Sequence, residues 1–317
     1  GPVAKTLFYE FRTPGDLAAH LATRLSETFA PHRGKAAAAH SPGIPEDFAH
    51  ADPVPKAPPA GGVAAIDAVA IIGVAGLYPD AENIEQFWIN LREGHDAIRE
   101  IPKERWPLEG FFDPDREKSD TSHCKWGGFI NHADHFDNRF FGISPIEAET
   151  IDPQARKFME VCWHALEDAG LDPERMFDTL SEPDRRRRRC GIFVGVMSGD
   201  YQLFGPEEVA KGNLIGPNAD YWNIANRVSA FLDFHGPSLA VDTACSSSLT
   251  ALHLACQSLR SGESKLAIAG GVNLCLHPRR HWILSKAGMI ASDGRCHSFG
   301  DGGDGYVPGE GIGAVVL

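Results

Sequence analysis

The chain has 317 residues, of which 43% are hydrophobic and 23% charged, a composition typical of globular proteins that excludes a wholly disordered or collagen-like chain. Thirty Lys and Arg residues against 43 Asp and Glu give a net charge of −13, so we expect no broad electrostatic binding to nucleic acid or to an anionic membrane. The longest uncharged, strongly apolar run covers residues 266–276, which is too short to span a bilayer.

The first 65 residues divide into two segments. Thr13 and Pro14 begin a predicted helix over residues 14–29, in which leucines recur every four residues. Residues 31–65 contain seven Pro, ten Ala and four Gly and show no periodic apolar pattern, which predicts a linker. We expect the folded body to begin at residue 66.

Apolar strands alternate with helices over the rest of the chain. The continuous apolar runs that predict buried strands lie at residues 67–74, 190–196, 238–243, 266–272 and 312–317. Helical periodicity marks residues 153–169, and Ser144 with Glu147 resembles a capping box for a short helix before them. A further helix follows Cys245, with an apolar face formed by Leu249, Leu252, Cys256 and Leu259. This order predicts an α/β protein with a mainly parallel sheet, and we expect further chain after the last apolar strand.

One cysteine lies where an apolar strand runs into a sharp turn and then a helix. The segment is VDTACSSSL, residues 241–249, and Cys245 occupies the turn between small residues. This is the geometry of a nucleophile elbow, in which the helix N-terminus stabilises a thiolate and lowers the cysteine pKa. The small neighbours leave room for an acyl group and let backbone N–H groups approach an oxyanion. The same spacing also fits an inert, buried cysteine before a helix cap, and spacing alone does not decide between the two.

The segment DTACSSSL (242–249) resembles the active-site signature of β-ketoacyl synthases, the condensing domains of polyketide and fatty-acid synthases. The resemblance covers residues 66–317. Four further segments similar to this family in order and spacing are residues 151–170, 226–238, 269–274 and 293–317. Three segments of this sequence most resemble modular bacterial polyketide synthases of the kind served by a free-standing acyltransferase. They are KWGGFI (125–130), FGISPIEAE (141–149) and SFGDGGDGYVPGEG (298–311).

The resemblance implies a layered αβαβα thiolase-like fold, of which this chain would form the first of two duplicated halves. It also implies a homodimer that extends a polyketide. Cys245 would hold the growing acyl chain as a thioester while a malonyl unit on a carrier protein decarboxylates and attacks it. Substrates would arrive on the phosphopantetheine arms of acyl carrier proteins, with no cofactor or metal bound directly. The second half of such enzymes supplies two catalytic His and a Lys, whose motifs are absent from this sequence.

The same family resemblance extends to the N-terminal segment. Residues 5–22 resemble the last helix of an acyl carrier protein, without the serine that bears phosphopantetheine; an amphipathic helix with no such role is the alternative. The chain would then consist of a carrier-protein helix (1–30), a linker (31–65) and the N-terminal half of a ketosynthase domain (66–317). Seven cysteines without metal-ligand spacing are expected as reduced thiols in the cytoplasm. Arg185–Arg189 is either a solvated loop or a docking patch for an acidic carrier.

Three other functions are compatible with these residues. A non-elongating ketosynthase retains the cysteine, loses a catalytic His and only passes acyl chains along. Half of a ketosynthase divided between two polypeptides would be inactive without its partner, the remaining half of the domain. A thiolase-type degradative enzyme is disfavoured by the carrier-like N-terminal segment.

We predict that limited proteolysis cuts residues 31–65 first, because a Pro- and Ala-rich tether does not pack tightly on a folded body. Mass spectrometry of the earliest fragments locates the cuts. First cleavage inside residues 190–317, with 31–65 protected, would show that the boundary at residue 66 is wrong.

Overall fold

The computed structural model describes residues 68–173, 175, 189–212 and 216–317. The predicted carrier-protein helix and linker lie outside these residues. In chain order the elements are β1 (Gly73–Leu77), α1 (Ile84–Glu93), β2 (Ile98–Glu100), β3 (Trp126–Gly128), α2 (Pro145–Thr150), α3 (Pro153–Asp168), β4 (Cys190–Gly195), a 3-10 helix (Asp200–Leu203), α4 (Phe204–Ala210), α5 (Trp222–Phe231), β5 (Ser238–Val241), α6 (Ser247–Arg260), β6 (Leu266–Asn273), α7 (Arg279–Lys286) and β7 (Gly311–Val316).

Five of the strands form one mixed sheet in the order β1-β7-β6-β4-β5. Strand β4 runs parallel to β5 and β6, whereas β7 runs antiparallel to β1 and β6. The predicted α/β class is confirmed, but the prediction of a mainly parallel sheet is wrong, since two of these four pairings are antiparallel. A strand buried on both faces has the same apolar sequence whichever way it runs, so the pattern could not reveal its direction.

Alternate side chains along the strands enter two separate cores, because successive residues of a strand point to opposite faces of the sheet. Ile192 and Val194 of β4 pack in one core with Phe158 of α3 and with residues of α5. Phe193, between them, packs on the other face against Ala251 of α6. The sheet therefore lies between two layers of helices.

The predicted helix at residues 153–169 is confirmed as α3. The Asp152 carboxylate accepts a hydrogen bond from Gln154 N at 2.8 Å, and Pro153 occupies the first position, where its missing N–H costs nothing. The Ser144 hydroxyl caps α2 by accepting from Glu147 N at 3.2 Å. The Glu147 carboxylate does not complete a capping box; it bonds Arg227 at 2.9 Å.

The first strand begins later than the sequence pattern predicts. The apolar run predicts a strand over residues 67–74, whereas β1 begins at Gly73 and runs to Leu77. Ile71 and Ile72 are 62% and 45% exposed. Gly73, the first residue of β1, allows α3 to lie close to the strand, because a Cβ there would lie 2.3 Å from the Ala165 carbonyl oxygen of α3.

Helix α6 buries the predicted apolar face only in part, since Leu252, Cys256 and Leu259 pack against the core. Leu249 of the expected apolar face is 71% exposed, and the residues that α6 buries are Ser247, Ala251, Ala255 and Ser258. Small side chains make the closest contacts because the start of the helix lies very close to the strands. A Cβ on Gly195 of β4 would lie 2.4 Å from Ser248 N, and one on Gly271 of β6 would lie 2.9 Å from Ser248 Cβ.

We predict that Gly195→Ala lowers the free energy of unfolding by about 2–3 kcal/mol or prevents folding, since the new methyl group must displace the backbone of α6. The matched control is Gly309→Ala, because a Cβ at Gly309 meets no atom within 4 Å. Urea unfolding of both variants provides the comparison. Equal midpoints for the two would show that α6 does not depend on this close approach.

Candidate active site

Cys245 lies in the turn between β5, which ends at Val241, and α6, which begins at Ser247. Ala244, directly before it, has φ of +55°, a left-handed conformation that a residue with a Cβ adopts only where its surroundings impose it. The cysteine is exposed. The structure thus has the predicted strand, turn and helix around Cys245, and it does not have the buried cysteine of the alternative interpretation.

Side chains of the turn itself hold this conformation. The Ser247 hydroxyl accepts from Thr243 N at 2.9 Å and donates to Ala244 O at 2.6 Å. The Asp242 carboxylate accepts from Ala244 N at 3.0 Å, and the Ser246 hydroxyl donates to Thr243 O at 2.8 Å. Short polar side chains that bond to nearby backbone groups favour such turns over continued helix or strand. The serines of the signature therefore fix the backbone that presents the cysteine.

The backbone N–H of Cys245 is free to bind a ligand. The next two amides are occupied, since Ser246 N donates to Thr243 O and Ser247 N to Ala244 O. Cys245 N has no acceptor in the part of the chain that the structure describes. An unpaired N–H at a helix N-terminus is suited to an oxyanion or another acceptor.

Cys245 forms part of the wall of an open groove with a volume of about 570 Å³. Small and apolar residues of β4, β6, β7 and α6 make up most of the lining. The Gly-rich stretch at residues 300–313 contributes Gly309, Gly311 and Gly313. The polar residues of the lining are Tyr78, Ser247, Ser248, Asn273, Arg280 and Glu310.

Glu310 lines the groove and is held in place by an ion pair and several hydrogen bonds. Its side chain is fully buried and pairs with Arg105, which donates from Nη2 at 2.8 Å and from Nε at 3.1 Å. The same carboxylate accepts from Ile130 N and Cys275 N, each at 2.9 Å. A buried charge with this many partners is satisfied, so Glu310 supports the groove without being available to a ligand.

Arg280 and Tyr306 are polar residues near Cys245 that the sequence reasoning missed. Arg280 lines the groove from the first turn of α7. Burial raises the pKa of Tyr306, the nearby Arg280 guanidinium opposes that shift, and negative charge on Cys245 adds to it. Tyr306 lies within the segment 298–311 that resembles the family but was not singled out there, and no quoted motif contains Arg280, which enters the groove through the packing of α7.

The other cysteines occupy different environments. Burial raises the pKa of Cys124 to about 11 and that of Cys275 to about 12. Burial likewise raises the pKa of Cys162 and Cys190 well above the usual range. Cys296 is exposed like Cys245, but it lies in a loop and not at a helix N-terminus.

Neither a metal centre nor a membrane span emerges within the described ranges. No group of three or more His, Cys, Asp or Glu side chains there could hold a metal ion. None of the helices found there is both long and apolar enough to cross a membrane.

Residues 67–317 match the family model described as the N-terminal domain of β-ketoacyl synthase. Polyketide synthase PksM of Bacillus subtilis strain 168 is 48% identical over 320 residues, covering 99% of this chain and 7% of the relative. Polyketide synthase ThaG of Burkholderia thailandensis is 51% identical over 262 residues, which are 83% of this chain and 4% of ThaG. The chain belongs to the β-ketoacyl synthase family.

Solved ketosynthases share the fold. The oxazolomycin ketosynthase domain OzmH KS7 of Streptomyces albus JA3453 is 50% identical with a TM-score of 0.73, over 78% of this chain and 41% of that one. The ketosynthase from module 6 of the bacillaene synthase of Bacillus subtilis 168 is 38% identical, with a TM-score of 0.67 over 78% of this chain and 39% of that one. The expected thiolase-like fold is therefore confirmed, as is the resemblance to ketosynthases of modular, free-standing-acyltransferase polyketide synthases. The chain spans about two fifths of these solved domains.

We predict that iodoacetamide at pH 8 alkylates Cys245 and Cys296 in the native chain well before Cys162 and Cys190. Alkylation requires an accessible thiolate, and burial both blocks these two thiols and raises their pKa. Peptide mass spectrometry measures each site, and the urea-unfolded chain is the control in which all sites react. Alkylation of Cys190 in the native chain at the rate of Cys245 would contradict the assigned burial.

Proposed function

We propose that this chain supplies the nucleophile of a polyketide ketosynthase and that Cys245 carries the growing acyl chain. One observation supports this most strongly. The cysteine is exposed at a helix N-terminus, beside its own unpaired N–H, in the wall of a groove large enough to hold an acyl chain.

In the first step, the Cys245 sulfur attacks the carbonyl carbon of an acyl thioester on the phosphopantetheine arm of an acyl carrier protein. A carbon–sulfur bond to Cys245 forms, the bond to the pantetheine sulfur breaks, and the thiol proton ends on the released pantetheine. The Cys245 N–H donates to the carbonyl oxygen as negative charge develops there. Such a donor is already oriented before the reaction, so no reorganisation opposes it.

In the second step, a malonyl unit on a carrier protein extends the chain. Its carbon–carbon bond to the carboxylate breaks and releases CO₂, and the electron pair forms a new carbon–carbon bond to the acyl carbonyl carbon. The carbon–sulfur bond to Cys245 then breaks, the sulfur leaves as thiolate, and the chain is two carbons longer. The His residues that stabilise the decarboxylation would come from the second half of the domain.

Exposed apolar residues around the groove support the proposal that the second half of the ketosynthase domain covers it. Leu249 of α6 and Val74 of β1 line the groove and are both exposed, and Met197 beyond β4 is exposed beside them. Contiguous apolar surface around a reactive site marks an interface. We assign this face to the remaining half of the ketosynthase, which would close the groove over Cys245.

The strand at the edge of the sheet supports the proposal that the domain is a homodimer. Strand β5, which leads to Cys245, is the last strand of the sheet and pairs with β4 on one side. Leu239 in its middle is 44% exposed. An edge strand with an exposed apolar side chain is a natural place for a second copy to pair, so we assign the dimer interface to this edge.

The N-terminal segments would connect the ketosynthase to a carrier protein, with residues 1–30 as the end of the carrier and 31–65 as the tether. The similarity to PksM extends over 99% of this chain and therefore includes these N-terminal segments. Free cysteines, in the described part of the chain, support a reducing compartment such as the cytoplasm.

The test uses a ketosynthase that contains this chain and its second half, an acyl-pantetheine thioester and malonyl-carrier protein. We predict one acyl adduct on Cys245, lost in Cys245→Ala. The matched control is Cys296→Ala, which removes the other exposed cysteine and is expected to be acylated at the parental rate. Peptide mass spectrometry measures the adduct, and CO₂ release with product mass measures extension.

The outcomes separate the possible functions. An adduct that persists in Cys245→Ala contradicts the proposal. Acylation of Cys245 without CO₂ release by the complete domain assigns the non-elongating function instead. The 317-residue chain alone is expected to acylate slowly and to perform no extension, because loss of even one charge-stabilising donor typically slows such a step by about 100- to 1000-fold.

A further inference from the structure

Arg280 is held in a fixed position at the groove. Its Nη1 donates to the Ser198 hydroxyl at 2.7 Å and to Asn273 Oδ1 at 2.5 Å. Ser198 is buried just beyond β4. Asn273 is the last residue of β6, and its side-chain Nδ2 donates to Gly309 O at 2.6 Å. The guanidinium is therefore fixed between the ends of two inner strands, beside the groove that contains Cys245.

No carboxylate of the described residues lies within 4.0 Å of this guanidinium, although its charge acts over a longer distance on the buried Asp200 carboxylate. Glu310, the carboxylate of the groove lining, is already occupied by Arg105 and two backbone amides. A guanidinium has five N–H donors, and Nη1 provides two of them. A half-buried cation with neutral acceptors on one side indicates a ligand that brings an acceptor to the other.

Arg280 and Cys245 share one electrostatic environment. Both interact with the Tyr306 phenol. Burial raises the pKa of this phenol, the Arg280 guanidinium lowers it, and charge on Cys245 raises it further. Both also line the same groove. An acyl chain bonded to Cys245 thus occupies a groove whose lining contains a fixed cation with no carboxylate in direct contact among the described residues.

We propose that Arg280 is a specificity residue of the acyl groove. Its guanidinium binds a hydroxyl or carbonyl oxygen on the acyl chain, so that oxygen-bearing chains acylate Cys245 in preference to saturated ones. This inference rests on the proposed function of Cys245. Ser198 and Asn273 act through Arg280 as positioning residues.

The malonyl carboxylate is the other acceptor that would enter the groove, and the chemistry favours the acyl oxygen. A guanidinium bound to the malonyl carboxylate would stabilise the very charge that leaves as CO₂, and ground-state stabilisation of this kind raises the barrier. An oxygen on the acyl chain keeps its charge distribution through acyl transfer. Its bond to Arg280 can therefore form before transfer and persist after it.

The acylation of Cys245 is measured with two pantetheine thioesters, those of 3-hydroxybutanoate and butanoate, which differ by one hydroxyl oxygen. In each reaction the acyl carbon exchanges the pantetheine sulfur for Cys245 Sγ, and free pantetheine leaves with the proton. The protein is the ketosynthase with its second half. Peptide mass spectrometry of the Cys245 adduct gives the ratio of the two rates.

Arg280→Met retains the length of the side chain and removes its donors. We expect the hydroxybutanoyl-to-butanoyl ratio to fall by about 10- to 100-fold, because a charged donor left without its acceptor discriminates strongly. Arg280→Lys, which keeps the charge but cannot bond Ser198 and Asn273 in the same way, should lower the ratio less. Ser198→Ala, which frees the guanidinium, should also lower it, and this variant tests the proposal if Arg280→Met does not fold.

Arg279→Met is the matched control, since Arg279 is the adjacent exposed residue of α7 and does not line the groove; its ratio should equal that of the parent. An unchanged ratio in folded Arg280→Met overturns the assignment. A defect confined to the Michaelis constant for malonyl-carrier also overturns it and assigns Arg280 to the malonyl carboxylate. Absence of any Cys245 adduct in the parent with both thioesters overturns the proposed function itself.

Discussion

The close approach of helix α6 to strands β4 and β6 is the constraint on which the site depends. Gly195 and Gly271 permit it, because a Cβ at either position would overlap Ser248 or its neighbour. Since the helix begins so near the sheet, the chain leaving β5 must turn sharply, and Ala244 takes a left-handed conformation with φ of +55°. The turn leaves Cys245 exposed at the helix N-terminus, where its N–H has no acceptor among the described residues.

Two arginines serve the groove in different ways. Arg105 forms an ion pair with the buried Glu310 carboxylate. This carboxylate also accepts hydrogen bonds from two backbone amides, so the residue just before β7 is bonded to the segments that follow β3 and β6. Breaking such a buried pair leaves an uncompensated charge, so its role is structural. Arg280 donates to the neutral Ser198 and Asn273 side chains, lies beside the Tyr306 phenol, and its charge also acts on the buried Asp200 carboxylate. The groove thus has a rigid wall and one cation still able to bind a ligand.

The sequence reasoning found the elbow because a strand, a small-residue turn and a helix leave a local pattern around Cys245. It misplaced features that depend on distance between elements. Leu249 is exposed, and the closest contacts of α6 with the sheet are made at Gly195 and Gly271, where no large side chain fits; Gly73 begins β1 because α3 lies directly against it. Strand direction is set by topology and leaves no trace in an apolar run. Arg280 reaches the site through the packing of α7, which no single motif encodes.

The most direct test of the account is a crystal structure of the complete ketosynthase after reaction with an acyl-pantetheine thioester. The account predicts continuous density from Cys245 Sγ to an acyl chain in the groove lined by Ala269–Asn273, with the carbonyl oxygen at about 2.7–3.1 Å from Cys245 N. An acyl group on another residue, or a carbonyl oxygen turned away from that N–H, would contradict it.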